Sequence, residues 1–266
     1  MKPKNVFVAF FDILGFRSAR EKKGTADLYQ SYLRGVLPAI QHSAAGIGKT
    51  VLRNGQSVHI PDFSDISCDY IHVSDSVILF TQSDDFYSFL KIVNSSYYLL
   101  RMGFAGGKMP FRGAIGYGDL IHDKARNIFL GSAIENAYEG EQSQVWAGCR
   151  LTSKCMEFIE QEKYMQIFKD FYEERAKQKS DNYEANHILQ EGKRLVQYDY
   201  IPLQKKCNTS PTKYDNEKGY VIDWTIQMYD GATSHSFYET QKTHAQKIID
   251  NTEAFEKWAR KNNRIT

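Results

Sequence analysis

The chain opens on an unbroken apolar run, Val6-Phe7-Val8-Ala9-Phe10-Phe11, closed by Asp12. A run without polar alternation predicts a strand over residues 5–11, buried on both faces. Helical, basic texture follows from Ile13 to about Lys23, and Gly24-Thr25-Ala26-Asp27 breaks it, with Thr25 as a helix cap. Leu28, Tyr29, Tyr32, Leu33, Val36, Leu37 and Ile40 then recur at helical spacing, and Pro38 marks a kink or an end. Residues 43–67 are polar and read as loop with short extended pieces. Tyr70–Val73 and Ser76–Phe80 predict two antiparallel strands joined at Ser74-Asp75.

An amphipathic helix is expected over 84–101. Asp84 or Asp85 caps it, Phe86, Phe89, Leu90, Val93, Tyr97 and Leu100 form its apolar face, and Gly103 stops it. Residues 111–118 read as a strand whose three glycines suggest close approach of another backbone or a ligand. A short strand over 127–130 and a helix opening at Gly131-Ser132 follow. Residues 144–149 read as a last strand of this unit or as the start of the next helix. Beyond about residue 150 the texture changes. One long charged helix is expected over 152–178, polar chain over 179–193, strands over 195–203 and 219–228, and a closing helix over 236–261. The simplest division is a core unit of residues 1–150 and a C-terminal α/β appendage of residues 151–266, packed on the core or completing a dimer.

Composition narrows the class. At 266 residues and 42% hydrophobic content the chain can bury a sizeable core. A net charge of +2 does not point to nucleic acid or an anionic membrane as the main partner. Cys68, Cys149, Cys155 and Cys207 form no C-x-x-C pair, so neither a zinc site nor a disulfide framework is signalled. No apolar stretch has the length of a signal peptide or a membrane span, so a soluble cytoplasmic protein is expected. Ser43-Ala44-Ala45-Gly46-Ile47-Gly48-Lys49-Thr50 nearly matches a phosphate-binding P-loop. Its first Gly is replaced by Ser43, and it follows a helix rather than a buried strand, which argues against that motif. The histidines form no metal-binding cluster, and His72 and Arg112 read as strand residues.

The candidate chemistry lies in two acids. Asp12 stands where the first strand leaves the sheet, placed to cap the coming helix or to hold a cation. Asp75 stands at the turn between two short apolar runs. On adjacent strands the two carboxylates would meet, and they would repel each other unless a cation lay between them. Magnesium favours carboxylates combined with substrate phosphates.

Phe10-Phe11-Asp12-Ile13-Leu14-Gly15-Phe16 resembles the Phe-x-Asp-Ile-x-Gly-Phe metal motif of the class III nucleotide cyclases. Ser74-Asp75 resembles their hairpin acid, with Ser where the family usually has Gly. Arg112-Gly113-Ala114-Ile115-Gly116-Tyr117-Gly118 echoes their Arg-x-Gly-Ile-x-x-Gly strand. The resemblance covers residues 5–150. It implies an α+β, ferredoxin-like catalytic fold, mainly antiparallel with helices on one face. It also implies two Mg²⁺ or Mn²⁺ ions on Asp12, Asp75 and the Ile13 carbonyl, and triphosphate binding by Phe11, Ile13, Leu14, Gly15 and Phe16.

The family's purine-reading positions are Ile71 and Ile128 here, and its helix Asn and transition-state Arg fall near Glu135 and Glu139. Arg17, Arg20 and Arg150 are candidate substitutes for that Arg. Loss of the purine readers is similar to the pyrimidine cyclases of the bacterial Pycsar anti-phage system. That likeness implies a homodimer making cyclic UMP, or cyclic CMP, from the triphosphate, with a separate effector protein answering to the product. The alternatives are a non-catalytic nucleotide-binding dimer, a polymerase or diguanylate-cyclase relative, and a structural interaction module.

Overall fold

Strand β1 runs over Lys4–Ile13 and sorts its side chains by parity. Phe7, Ala9, Phe11 and Ile13 enter the larger apolar cluster, and Val6 and Val8 enter a smaller one, with Phe10 packed against it. The computed structural model describes residues 2–45, 49–53, 56–60, 68–103, 110–126, 128–144, 148–180, 182–205 and 213–222.

After β1 come α1 (Phe16–Ser31), a π-helical turn (Tyr32–Val36) and α2 (Leu37–Ala45). The break expected at Gly24 is present as a kink inside α1, where Gly24 has φ 80. Pro38 directly follows the π-helical turn in a run that stays helical through Leu37 (φ −60, ψ −46), and the widened turn before it accommodates its missing N–H. Strands β2 (Lys49–Arg53) and β3 (Gln56–Ile60) pair with each other, the extended pieces expected in that polar stretch. Then β4 (Asp69–Val73) and β5 (Ser76–Phe80) form the expected two-residue hairpin. Ser74 takes φ 57 in that turn, the left-handed region where Gly is relaxed.

Helix α3 (Phe86–Met102) begins at Asp85, whose carboxylate accepts the Ser88 N–H at 2.8 Å. Burial works to raise the Asp85 carboxyl, but hydrogen bonds from Ser83 and Ser88 outweigh it and hold it below its ordinary value. Strand β6 (Phe111–Asp123) outruns the expected one and pairs with the short β7 (Ile128–Leu130). Helix α4 (Ser132–Gln142) and strand β8 (Gly148–Leu151) complete the first stretch.

Two helices, α5 (Ser153–Gln161) and α6 (Tyr164–Lys177), replace the single long helix expected there. The chain turns at Lys163, which has φ 58. The turn lets Cys155 and Ile159 from α5, and Tyr164, Phe168 and Tyr172 from α6, all reach the same core. The Tyr164 hydroxyl donates to the Asp84 carbonyl at 2.9 Å and pins the turn. Helix α7 (Asn182–Glu191) occupies the stretch expected to be only polar chain. Strands β9 (Leu195–Lys205) and β10 (Lys213–Ile222) follow, and β10 begins before the strand expected from 219. The expected closing helix over 236–261 lies outside the described residues.

Among the described residues, one sheet has the order β4-β5-β1-β6-β8-β10-β9, with β7 beside β6. All its pairings are antiparallel except β6 with β8. The unit β1–helices–β4–β5–α3–β6, in the spatial order β4-β5-β1-β6, is the split β-α-β arrangement of a ferredoxin-like fold. The fold is α+β with a mainly antiparallel sheet, as expected. The strands after residue 151 continue this sheet, and α5 and α6 share its main core.

The two faces of the sheet are covered differently. Residues of α2, α3, α5 and α6 pack on the face of Phe7 and Phe11. Helix α4 lies on the other face, with Ala133 and Ala137 against Val6 and Val8. Gly116 permits that approach. A Cβ there would stand 2.6 Å from the Ala133 carbonyl oxygen and the Ala137 nitrogen. The close approach expected from the glycines of β6 is met here by a helix backbone.

Candidate active site

Asp12 belongs to the even-numbered set of β1, so it faces the α4 side at the end of the strand. Its register partners are Ser76 on β5 and Arg112 on β6. Asp75 reaches the same place from the hairpin turn. Its carbonyl accepts the Ile13 N–H at 2.9 Å, which ties the hairpin to the end of β1. The neighbouring Leu14 N–H donates to the Pro110 carbonyl at 2.8 Å, so both sides of the strand end are fastened.

The Asp12 carboxyl is pushed up to about 6. Burial is the main cause, the negative charges of Glu141 and Asp75 add to it, and Arg112 opposes them. Three carboxylates therefore share a neighbourhood with one guanidinium, and added positive charge would be favoured there.

Arg112 comes from β6 beside Asp12, but its guanidinium is bound elsewhere. Nε and Nη2 lie 2.5 Å from the Glu141 carboxylate, Nη1 donates to the Gln144 carbonyl at 3.1 Å, and Nη2 stands 4.0 Å from Asp12. Glu141 is 0% exposed at the end of α4. Gln142 donates to its second oxygen at 2.7 Å, and the Gln144 side chain donates to the Gly113 carbonyl. Among the described residues no group of three or more His, Cys, Asp or Glu is arranged to hold a metal ion. The carboxylates here are those of Asp12 and Asp75, with Glu141 behind them on Arg112; carboxylate oxygens are hard ligands of the kind magnesium and manganese take in small numbers beside phosphate.

Gly15 precedes α1 with φ 75, a conformation that suits Gly, and no heavy atom lies within 4 Å of where its Cβ would be. No side chain caps α1, and its first backbone bond runs from the Ala19 N–H to the Gly15 carbonyl. The helix N-terminus beside Asp12 thus presents backbone N–H groups and open space. Phe11 is 0% exposed on the opposite face, so what it offers this corner comes from its backbone. The N–H groups of Ile13 and Leu14 already have partners, which leaves the donors to the start of α1.

Sequence reasoning brought Asp12 and Asp75 together but passed over Arg112 and Glu141. Of the substitute arginines, Arg17 is exposed on α1 and paired with Glu21 at 3.0 Å, and Arg20 is exposed on α1. Arg150 is buried on β8, in register with Ala114. Glu135 and Glu139 are exposed on α4. Ile71 is half-buried on β4, and Ile128 is exposed on β7.

No family model matches the chain, and no curated protein does either. Among solved structures it is similar to the catalytic core of a rhodopsin-guanylyl cyclase with converted specificity in complex with ATPαS. The identity is 13% and the TM-score 0.43, over 83% of this chain and 96% of that one. It is also similar to the guanylyl cyclase Cya2, at 9% identity and a TM-score of 0.37, over 86% of this chain and 96% of that one. No helix among the described residues is long and apolar enough to cross a membrane.

Proposed function

We propose that this chain is a metal-dependent nucleotide cyclase acting on a pyrimidine triphosphate, UTP in preference to CTP, as one half of a homodimer. The observation that carries the reading is the meeting of Asp12 and Asp75 at one sheet corner, beside a Gly-opened helix start. The motif around Asp12, quoted above for its resemblance to class III cyclases, lies at that corner.

In the reaction, the ribose 3′ oxygen attacks the α-phosphorus of the same nucleotide. The bond from that phosphorus to the oxygen bridging to the β-phosphate breaks, pyrophosphate leaves, and the 3′ proton passes to solvent. Asp12, Asp75 and the Ile13 carbonyl are the groups that would hold one or two Mg²⁺ or Mn²⁺ ions. Bound there, the metal supplies acidification of the 3′-hydroxyl and charge neutralisation on the departing phosphates. The chain's own part is to place these groups. Gly15 lets phosphate approach the backbone, the N–H groups opening α1 accept its charge, and Arg112 adds a guanidinium at the same corner.

The pyrimidine preference rests on Ile71 and Ile128, where the resemblance puts polar purine readers. Val73, Ile128, Leu130 and Tyr138 expose apolar surface on the elements bordering this face, which suits cover by a second copy. An effector answering to the cyclic product, in antiviral defence, belongs to the same reading. The stretch beyond residue 151 is read as an appendage to the catalytic unit.

A second reading, a nucleotide-binding dimer without turnover, is favoured by Glu135 and Glu139 standing where the resemblance expects Asn and Arg. Incubation with ATP, GTP, CTP and UTP in turn, with Mn²⁺, and identification of products by mass separates the two. A single cyclic pyrimidine monophosphate supports the proposal. A cyclic purine product overturns the pyrimidine preference. Binding with no product from any of the four moves the function to the second reading.

A further inference from the structure

Opposite charges placed directly across an antiparallel pair ordinarily close on each other. Asp12 and Arg112 are such a pair, and they meet only at 4.0 Å, the outer limit of an ion pair. The guanidinium is drawn to Glu141 at 2.5 Å and left 4.0 Å from Asp12. Glu141 is an unusual place to spend a carboxylate. It is wholly buried at the end of α4, and its contacts are Arg112 through one oxygen and Gln142 through the other. The Gln144 carbonyl adds a third hold on Arg112 at 3.1 Å.

We infer that Glu141 is a positioning residue that keeps Arg112 off Asp12 and so keeps the Asp12 carboxylate open to a divalent cation. The inference rests on the reading of Asp12 and Asp75 as cation ligands. Without the tether, Arg112 is one short side-chain movement from a close, hydrogen-bonded pair with Asp12, and a guanidinium seated there competes with the metal. Two guanidinium nitrogens converging on one Glu141 oxygen set the direction of the Arg112 side chain as well as neutralising its charge. A loss of reach should therefore matter even when the charge is kept.

Mn²⁺ binding to the full-length protein without nucleotide, followed by electron paramagnetic resonance of the free ion, tests this apart from turnover. Glu141→Asp keeps the charge and shortens the arm. It is expected to weaken Mn²⁺ binding about tenfold, the size of effect seen when a group supporting a metal ligand is lost. Adding Arg112→Gln to that variant is expected to restore binding to within about twofold of the Arg112→Gln protein. Should Glu141→Asp fail to fold, the comparison is Glu141→Gln made in the Arg112→Gln background. With the competing guanidinium gone, that change is expected to alter affinity by less than about twofold.

Wild-type affinity in Glu141→Asp overturns the inference. So does a further loss on removing Glu141 after Arg112, which would mean that the Glu141 charge acts on the cation directly. Absence of Mn²⁺ binding in the wild type, or binding that Asp12→Ala and Asp75→Ala leave unchanged, overturns the cation reading itself and the inference with it.

Discussion

The two faces of the sheet are built from the same strands to opposite ends. On one, Phe7, Phe11, Phe89, Phe168 and Tyr97 are buried together, and aromatic rings meet edge to face, as Phe89 does with Phe168 at 6.2 Å between centroids. On the other, α4 covers Val6 and Val8, but the sheet beyond is left to half-buried Phe10, Ile71 and Ile78 and then to Asp12. Alternation along β1 does this in one strand: odd positions stay apolar to the end, while even positions pass from core to carboxylate. Stability is concentrated on the first face, and the open charges on which the proposed chemistry would draw are on the second.

The strongest way to break that division is to remove a carboxylate. Asp12→Ala and Asp75→Ala are expected to lower turnover by at least about a thousandfold while leaving the thermal midpoint within a few degrees of wild type. Steady-state kinetics and melting curves check both halves of the statement. Loss of fold together with activity would mean that these acids belong to the structure rather than to the site.

The converse change is Phe89→Ala. It is expected to cost about 3–5 kcal/mol in denaturant unfolding, with the activity of the folded fraction retained. Gly116→Ala strikes the seam between the faces. Its new methyl meets the backbone of α4, and overpacking of this kind costs about 1–3 kcal/mol. Because α4 carries Glu141, this variant is expected to lose Mn²⁺ affinity as well as stability, a pairing that Phe89→Ala should not show.

A last effect is one of pH. The folded-state pKa of Asp12 lies above its ordinary value of 3.8, at about 6. The folded protein therefore binds that proton more readily than the unfolded chain does. Its contribution to stability is full below the ordinary value and is lost as pH rises through about 6. Compared with wild type in the absence of metal, Asp12→Asn is expected to gain in melting temperature between about pH 4 and about pH 6.5. A difference that stays flat across this range would mean that Asp12 titrates normally.

Much of this architecture was legible in the chain because it is locally encoded. The apolar run of β1, the hairpin at Ser74-Asp75 and the capped face of α3 are each set by residues near in sequence. Asp12 and Asp75 were found for the same reason: each interrupts an apolar run. The break at Lys163 was not legible, because apolar positions continue at helical spacing on both sides of it and only the shared core decides where the chain turns. Arg112 and Glu141 were missed on similar grounds. Their pairing depends on the register of β1 against β6 and on where α4 ends over the sheet. Arg112 alone read as a strand residue, and Glu141, past the end of the expected helix, was not singled out at all. The one available signal was the resemblance of the Arg112 strand to the family pattern, which by itself did not say what the arginine touches.

Asp12 and Asp75 are proposed to hold divalent metal beside a nucleotide triphosphate. Anomalous diffraction from crystals soaked with Mn²⁺ and a non-reactive UTP analogue tests this most directly. Manganese peaks within coordination distance of both carboxylates, with the triphosphate lying toward the start of α1, are the predicted result. Triphosphate bound elsewhere, or a corner at Asp12 and Asp75 without manganese while the analogue is bound, would contradict the account.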